Sequence, residues 1–187
     1  MSVATKLQAT GAVGVIPTDT VYGLVARAAD QEAVARVYEI KKRDSKPGTI
    51  IAANMQQLED LGLKHRYLKA VEQFWPAAVS VVVPAVEPEL KYLHQGKMSL
   101  AVRIPSDKKF CELLEQTGPL LTSSANHSGQ TPANTIDEAK EYFGKEVDFY
   151  EDGGDLSGRE ASTVIRIIDD AVEVLREGAV HIDDDLI

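Results

Sequence analysis

Short apolar runs alternate with amphipathic stretches along the 187-residue chain, the pattern of a domain that mixes strands and helices. Residues 13–17 predict a short buried strand. Asp30 can cap a helix running to about Lys42, with Val34, Val37 and Tyr38 on its apolar face. Residues 49–53 read as a second strand and 55–61 as a short helix. A further helix is expected over 67–74, stopped by Trp75-Pro76. The β-branched run 79–83 predicts a central strand. In 100–104 the pattern alternates: Leu100, Val102 and Ile104 share one face, and Ala101 and Arg103 point to the other.

Ser106 starts a helix through about Gln116, and 120–122 return to the sheet. Thr135-Ile136-Asp137-Glu138 fits a capping box for a helix ending near Gly144. Residues 147–150, 163–168 and 172–175 read as strands, the last two flanking Asp169-Asp170 as a hairpin. Strands and helices intermix without strict βαβ order. The expected fold is α/β, a single domain over 1–187 with a twisted open mixed sheet and flanking helices.

Composition narrows the function classes. A formal charge of −9 argues against a nucleic-acid binder that uses its whole surface, although a local basic patch is compatible with it. Part of the acidity sits in a tail, 181–187, that contains Asp183-Asp184-Asp185. Cys111, the single cysteine, excludes an internal disulfide and a cysteine-rich zinc site, and its neighbours Phe110, Leu113 and Leu114 predict a buried structural thiol. Residues 1–8 lack the apolar core of a signal peptide, and no stretch approaches the ~20 apolar residues of a membrane span. A cytoplasmic protein without membrane contact is expected.

Familiar catalytic devices are missing. The sequence has no G-x-x-x-x-G-K-[ST] loop, no G-x-G-x-x-G and no G-x-S-x-G elbow. His65, His94, His127 and His181 are far apart, as surface or loop residues are, and no metal site is expected. What remains is a set of polar residues at strand ends and in loops, where α/β proteins place binding groups.

Thr18, Asp19, Thr20 and Tyr22 form either a substrate wall or a turn whose hydroxyls satisfy local backbone. Lys41, Arg43 and Lys46 complement a helix C-terminus and equally suit a polyphosphate. Arg103, on an otherwise apolar strand that begins near Ser99, needs an anion: an internal carboxylate or the carboxylate of an amino-acid substrate. The run from Thr122 to Gly129, with Ser124 and Asn126, offers hydroxyls and an amide to phosphate or ribose oxygens, or makes a turn. Ser162-Thr163 follows Gly153-Gly154, and Arg176 lies beyond the hairpin.

Seven segments in order resemble the YrdC/TsaC family of threonylcarbamoyl-AMP synthases. They are P-T-D-T-V-Y-G-L from Pro17, K-K-R-x-x-K-P from Lys41, W-P at Trp75, L-A-V-R-I-P from Leu100, S-S-A-N-x-S-G from Ser123, E-A-S-T-V-I from Glu160 and L-R-E-G from Leu175. The resemblance covers about 13–180 and fits the short, single-domain form. It departs from the family pattern at Gly48-Thr49, where an apolar residue often follows the K-P step, and at Asn134-Thr135, where threonine or serine often stands.

The resemblance implies an enzyme that makes threonylcarbamoyl-AMP and pyrophosphate from L-threonine, bicarbonate or CO₂, and ATP. Partner transferase proteins then modify the adenosine beside the tRNA anticodon, with at most a weak tRNA contact by this chain. By position, Thr18 or Thr20, Arg103, Ser124 and Ser162 hold threonine. Lys41, Arg43, Lys46, Ser99, Asn126, Asn134 and Arg176 contact ATP, and Lys41, Arg43 and Arg103 act in catalysis. Mg²⁺ rides on the phosphates, with no protein metal site and no tightly bound cofactor. Residues 41–49 are the expected mobile segment. The competing reading is an RNA-binding or ribosome-associated module of the same fold. A carbamoyl-adenylate domain of hydrogenase-maturation proteins is disfavoured, because their zinc-finger and acylphosphatase segments are missing here.

Overall fold

Nine strands of the computed structural model, which describes residues 1–42, 46–169 and 171–182, lie in one mixed sheet. The strands are β1 (Gly14–Pro17), β2 (Tyr22–Arg27), β3 (Thr49–Ile51), β4 (Val79–Pro84), β5 (Ser99–Arg103), β6 (Leu120–Ser124), β7 (Phe149–Tyr150), β8 (Thr163–Ile168) and β9 (Ala171–Arg176). The helices are α1 (Val3–Leu7), α2 (Gln31–Lys41), α3 (Met55–Leu61), α4 (His65–Lys69), α5 (Lys91–His94), α6 (Lys108–Thr117) and α7 (Ile136–Phe143). The strand order is β7-β1-β2-β6-β3-β5-β4-β8-β9. Parallel pairs (β1/β7, β3/β5, β4/β8) interleave with antiparallel ones, as the irregular alternation of elements implied.

The two faces of the sheet are covered unequally, and that inequality creates the site. Period-two alternation sends Leu24, Ile50, Val81, Val102 and Ile165 to one face, where they form a large core with Val34 and Val37 of α2, Leu58 of α3, Leu68 of α4, Leu93 of α5 and Phe143 of α7. On the other face Ile16, Val25, Ile51 and Leu120 pack against Leu7 of α1 and against Phe110 and Leu114 of α6. These two helices cover only part of that face. Beyond them the face carries Thr49, Ala101 and Arg103, Thr122 and Ser124, Ser80 and Val164, most of them small or polar.

Local chemistry accounts for most element ends. Asp30 accepts from the Ala33 amide at 3.0 Å and starts α2, Asp107 does the same for α6, and Thr135 caps α7. At α7 the box is displaced by one residue, since Glu138 accepts from the Asn134 amide rather than that of Thr135.

The expected helix over 67–74 is instead α4 followed by a 3₁₀ turn at Glu72–Phe74. Leu68, Val71 and Phe74 are all buried, and a spacing of three suits the tighter turn. Trp75-Pro76, a cis bond, ends it. The run 79–83 is an interior strand, between β5 and β8, rather than the middle of the sheet. Three elements escaped the sequence pattern: α1, α5 and β2. Strand β2 is buried on both faces, so it has no alternation to read.

Two single-residue expectations also change. Cys111 is half-buried rather than buried, its thiol facing the Pro105 carbonyl. Burial, with Asp107, Asp19 and Glu115 nearby, pushes that thiol above its ordinary value. His94 is neither a surface nor a loop residue: it is buried in α5, and its Nδ1 accepts from the Gly96 and Met98 amides.

Candidate active site

The uncovered part of the sheet floors a cavity of about 220 Å³. Its lining includes Thr18, Thr20 and Tyr22 from the β1–β2 hairpin, Thr49, Ala101 and Arg103 from β3 and β5, Thr122 and Ser124 from β6, and Ser162 and Arg176 from the far side. The hairpin explains the P-T-D-T-V-Y-G-L run. Thr18 Oγ1 donates to the Val21 carbonyl at 2.7 Å and accepts from the Thr20 amide, so the turn is closed by its own hydroxyl. Local satisfaction and a place in the cavity wall therefore coexist at Thr18. Tyr22 is fully buried, and its hydroxyl accepts from the Gly153 amide and donates to the Gly154 carbonyl, fixing that loop. Burial raises its pKa, reinforced by Asp152 and opposed by the Gly153 bond.

Arg103 stands at the centre of the floor. Its fork is held by Asp19, Nε to Oδ2 at 3.1 Å and Nη2 to Oδ1 at 2.9 Å, with both side chains almost wholly buried. Of the two anions open from sequence, the internal carboxylate is therefore present. Nη1 donates to Ser80 Oγ at 2.9 Å. These bonds use three of the guanidinium's five N–H groups. Ser80 Oγ lies 3.0 Å from Ser162 Oγ, and Arg176 Nη2 donates to Ser162 Oγ at 3.1 Å and to the Ser162 carbonyl at 2.6 Å. A continuous polar line thus runs Asp19–Arg103–Ser80–Ser162–Arg176, from the β1–β2 turn across β5 and β4 to the loop before β8 and to β9.

The residues expected for threonine (Thr18, Thr20, Arg103, Ser124 and Ser162) all line this cavity, as does Arg176. Those expected for ATP are more scattered. Lys41 is buried at the end of α2, where Nζ donates to the carbonyls of Ser124 (2.7 Å) and Asn126 and to Asn126 Oδ1. Ser124 Oγ donates to the same Asn126 Oδ1 at 2.6 Å, so Lys41 and Asn126 together hold the loop that presents Ser124. Lys46 is exposed, next to Pro47, Gly48 and Thr49 of the cavity rim. Gly48 is required there by space, since a Cβ would meet the Thr122 carbonyl at 2.6 Å.

Ser99 shares the Arg103 face of β5 but sits at the strand's far end, facing the Lys97 carbonyl. Asn134 lies outside the cavity, bonded through its backbone to Glu138 and Leu156. Arg43 lies outside the described residues, with the middle of the segment expected to be mobile, and so does the acidic run 183–185.

Sequence reasoning gave Asp19 no separate role and missed Ser80 entirely. The signal for Ser80 was a lone hydroxyl inside Val79–Val83, which acquires meaning only when the sheet register sets it beside Val164 and Arg103.

Comparisons with known proteins identify the family. A family model for the Sua5/YciO/YrdC domain, described as "Telomere recombination", matches residues 6–178. A putative threonylcarbamoyl-AMP synthase of Mycobacterium leprae is 34% identical over 178 residues, 92% of this chain and 80% of that protein. A threonylcarbamoyl-AMP synthase of Marinobacter nauticus is 31% identical over 90% of this chain and 91% of its own. Among solved structures, Pyrococcus abyssi Sua5 complexed with L-threonine matches with a TM-score of 0.80 and 31% identity over 94% of this chain. The chain spans about half of that longer protein, 52%. No helix among the described residues is long and apolar enough to cross a membrane. The family model covers most of the chain and the fold matches that of a solved relative, so the chain belongs to the Sua5/YciO/YrdC family.

Proposed function

We infer that this chain is an L-threonylcarbamoyladenylate synthase, which joins L-threonine, CO₂ or bicarbonate, and ATP and releases pyrophosphate. The observation that carries this reading is the convergence of Thr18, Thr20, Arg103, Ser124 and Ser162 on one cavity, in a fold that matches a threonine-bound relative. The two N–H groups of Arg103 left over from Asp19 and Ser80 suit the threonine carboxylate, and the fixed hydroxyls of Thr18 and Thr20 suit its polar side chain.

Threonine's amine, once deprotonated to water or to a substrate phosphate, attacks CO₂ to give an N-carboxylate. That carboxylate attacks the α-phosphorus of ATP, and pyrophosphate departs in line. Such a displacement needs alignment and charge stabilisation rather than a protein nucleophile. Arg176, on the cavity wall, serves this purpose together with Lys46, next to the rim residues 47–49, and with Arg43. Lys41 and Asn126 act through the loop they hold, and Ser99 and Asn134 are the outer contacts of the nucleotide. ATP enters as its Mg²⁺ complex, with the metal carried on the phosphates.

The domain responsible is the single domain over 1–187, with the family motifs in about 13–180, and the enzyme works in the cytoplasm. Its adenylate passes to partner transferase proteins that modify the adenosine beside the tRNA anticodon. The acidic balance of the chain limits its own contact with tRNA to a weak one.

The test incubates the protein with ATP, bicarbonate and labelled L-threonine. Threonine-dependent pyrophosphate and a labelled adenylate are expected. Turnover supported equally by serine or valine, or none with any amino acid, refutes the assignment.

A further inference from the structure

The line of bonds across the cavity floor has a direction, and Ser80 sets it. Ser80 is fully buried on β4, and its hydroxyl has one proton to give and two lone pairs. One lone pair takes the Arg103 Nη1 proton. Its remaining neighbour is Ser162 Oγ, at 3.0 Å. If Ser162 donated in that bond, the Ser80 proton would be left without an acceptor in a place no water reaches, a costly arrangement. If Ser80 donates, its proton is satisfied and one lone pair is filled. Ser162 Oγ then accepts twice, from Ser80 and from Arg176 Nη2, and its own proton is unspent. Ser162 lines the cavity, so that proton is available to whatever binds there.

We propose that Ser80 is a positioning residue that fixes Ser162 as a hydrogen-bond donor, so that the place beside Ser162 accepts an anionic oxygen, carboxylate or phosphate, and rejects an ammonium. The proposal rests on the reading of this cavity as the threonine and ATP site. Arg103 and Arg176, on either side of the two serines, polarise both hydroxyls in the same sense and add to the preference for an anion.

Two measurements test it. Binding of L-threonine and of a non-hydrolysable ATP analogue is titrated separately for wild type, Ser80→Ala, Ser162→Ala, the double variant and Ser80→Thr. Ser80→Ala should weaken one of the two ligands by about tenfold or more, as expected for a lost bond to a charge-assisted network. The double variant should be no weaker than Ser162→Ala alone, and Ser80→Thr, which keeps the hydroxyl, should recover most of the affinity. Loss in the threonine arm identifies the carboxylate as the oxygen, and loss in the nucleotide arm identifies a phosphate. Wild-type affinity for both ligands in Ser80→Ala, or additive losses in the double variant, overturns the proposal.

Neutron diffraction from deuterated wild-type crystals reads the proton directly. The Ser80 deuteron should lie on the line to Ser162 Oγ. A deuteron on Ser162 pointing back at Ser80 overturns the assignment whether or not threonine binds. Failure to bind threonine with the deuteron in place refutes the proposed function and leaves the donor direction standing.

Discussion

Replacing Asp19 with alanine isolates the energetics of the cavity floor. The substitution removes both oxygens that hold Arg103 at 2.9 and 3.1 Å, in a setting where the two side chains are only 6% and 4% exposed. The loss of the attraction is the smaller part of the effect. The larger part is the guanidinium left behind, with its bond to Ser80 and without a counter-charge, and breaking a buried pair from one side costs about 3–5 kcal/mol. Against the ~5–15 kcal/mol of a typical domain this leaves a folded but much weakened protein.

Urea unfolding followed by fluorescence of Trp75, the single tryptophan, measures it, with an unchanged m-value as the sign that both states stay comparable. A second variant, Asp19→Ala with Arg103→Met, removes the orphaned charge as well. It should be more stable than Asp19→Ala by at least about 1 kcal/mol, because an apolar chain of similar length needs no partner. A loss under about 1 kcal/mol for Asp19→Ala, or a double variant less stable than the single one, refutes the argument that the buried charge dominates.

Two further outcomes are expected. Gly178→Ala would bring a Cβ within 2.2 Å of the Ala161 carbonyl and 2.7 Å of the Ser162 carbonyl carbon, where neither neighbour is a flexible side-chain end. A stability loss of about 1–3 kcal/mol is expected from that overlap, together with reduced threonine-dependent turnover, whereas Gly158→Ala, with nothing within 4 Å, should stay within about 0.5 kcal/mol by the same urea assay. Burial raises the Asp148 pKa, but bonds from Arg36 and the Val13 amide outweigh it and hold the carboxyl below its ordinary 3.8. Its contribution is therefore complete above pH 3.8 and lost as pH falls through the lower folded-state value, so the stability gap between wild type and Asp148→Asn should be constant near neutrality and close only below 3.8.

The elements with clear periodicity or caps were legible in the chain. Alternation at Leu100–Ile104 correctly put Arg103 opposite the main core, and Asp30 marked the start of α2. Strand β2 was not legible, because burial on both faces erases the polar-apolar rhythm. The cavity-lining residues Thr18, Thr20, Arg103, Ser124 and Ser162 lie in recognisable motifs, yet motifs carry no information on what lies opposite. Asp19 is separated from Arg103 by 84 positions and Ser80 from Ser162 by 82, and only the strand order β5-β4-β8 brings the second pair together. The surroundings of Lys41 were not legible for a related reason. A lysine at a helix end reads as a surface cation, and nothing local announces that three oxygens of a distant loop enclose it.

The half-covered sheet also ties fidelity of folding to fidelity of function. Thr122 and Ser124 reach the cavity because β6 aligns Thr122 with Val25 and Thr49, and Ser124 with Gly23. A slip of one residue would turn Leu121 and Ser123 to the floor and send both hydroxyl-bearing neighbours into the main core. The backbone ladder would survive such a slip almost intact, while the hydroxyls of Thr122 and Ser124 would be aimed at the wrong side. In this protein strand register therefore serves as part of the chemistry: a chain paired one place out would still be a sheet, and would no longer be an enzyme.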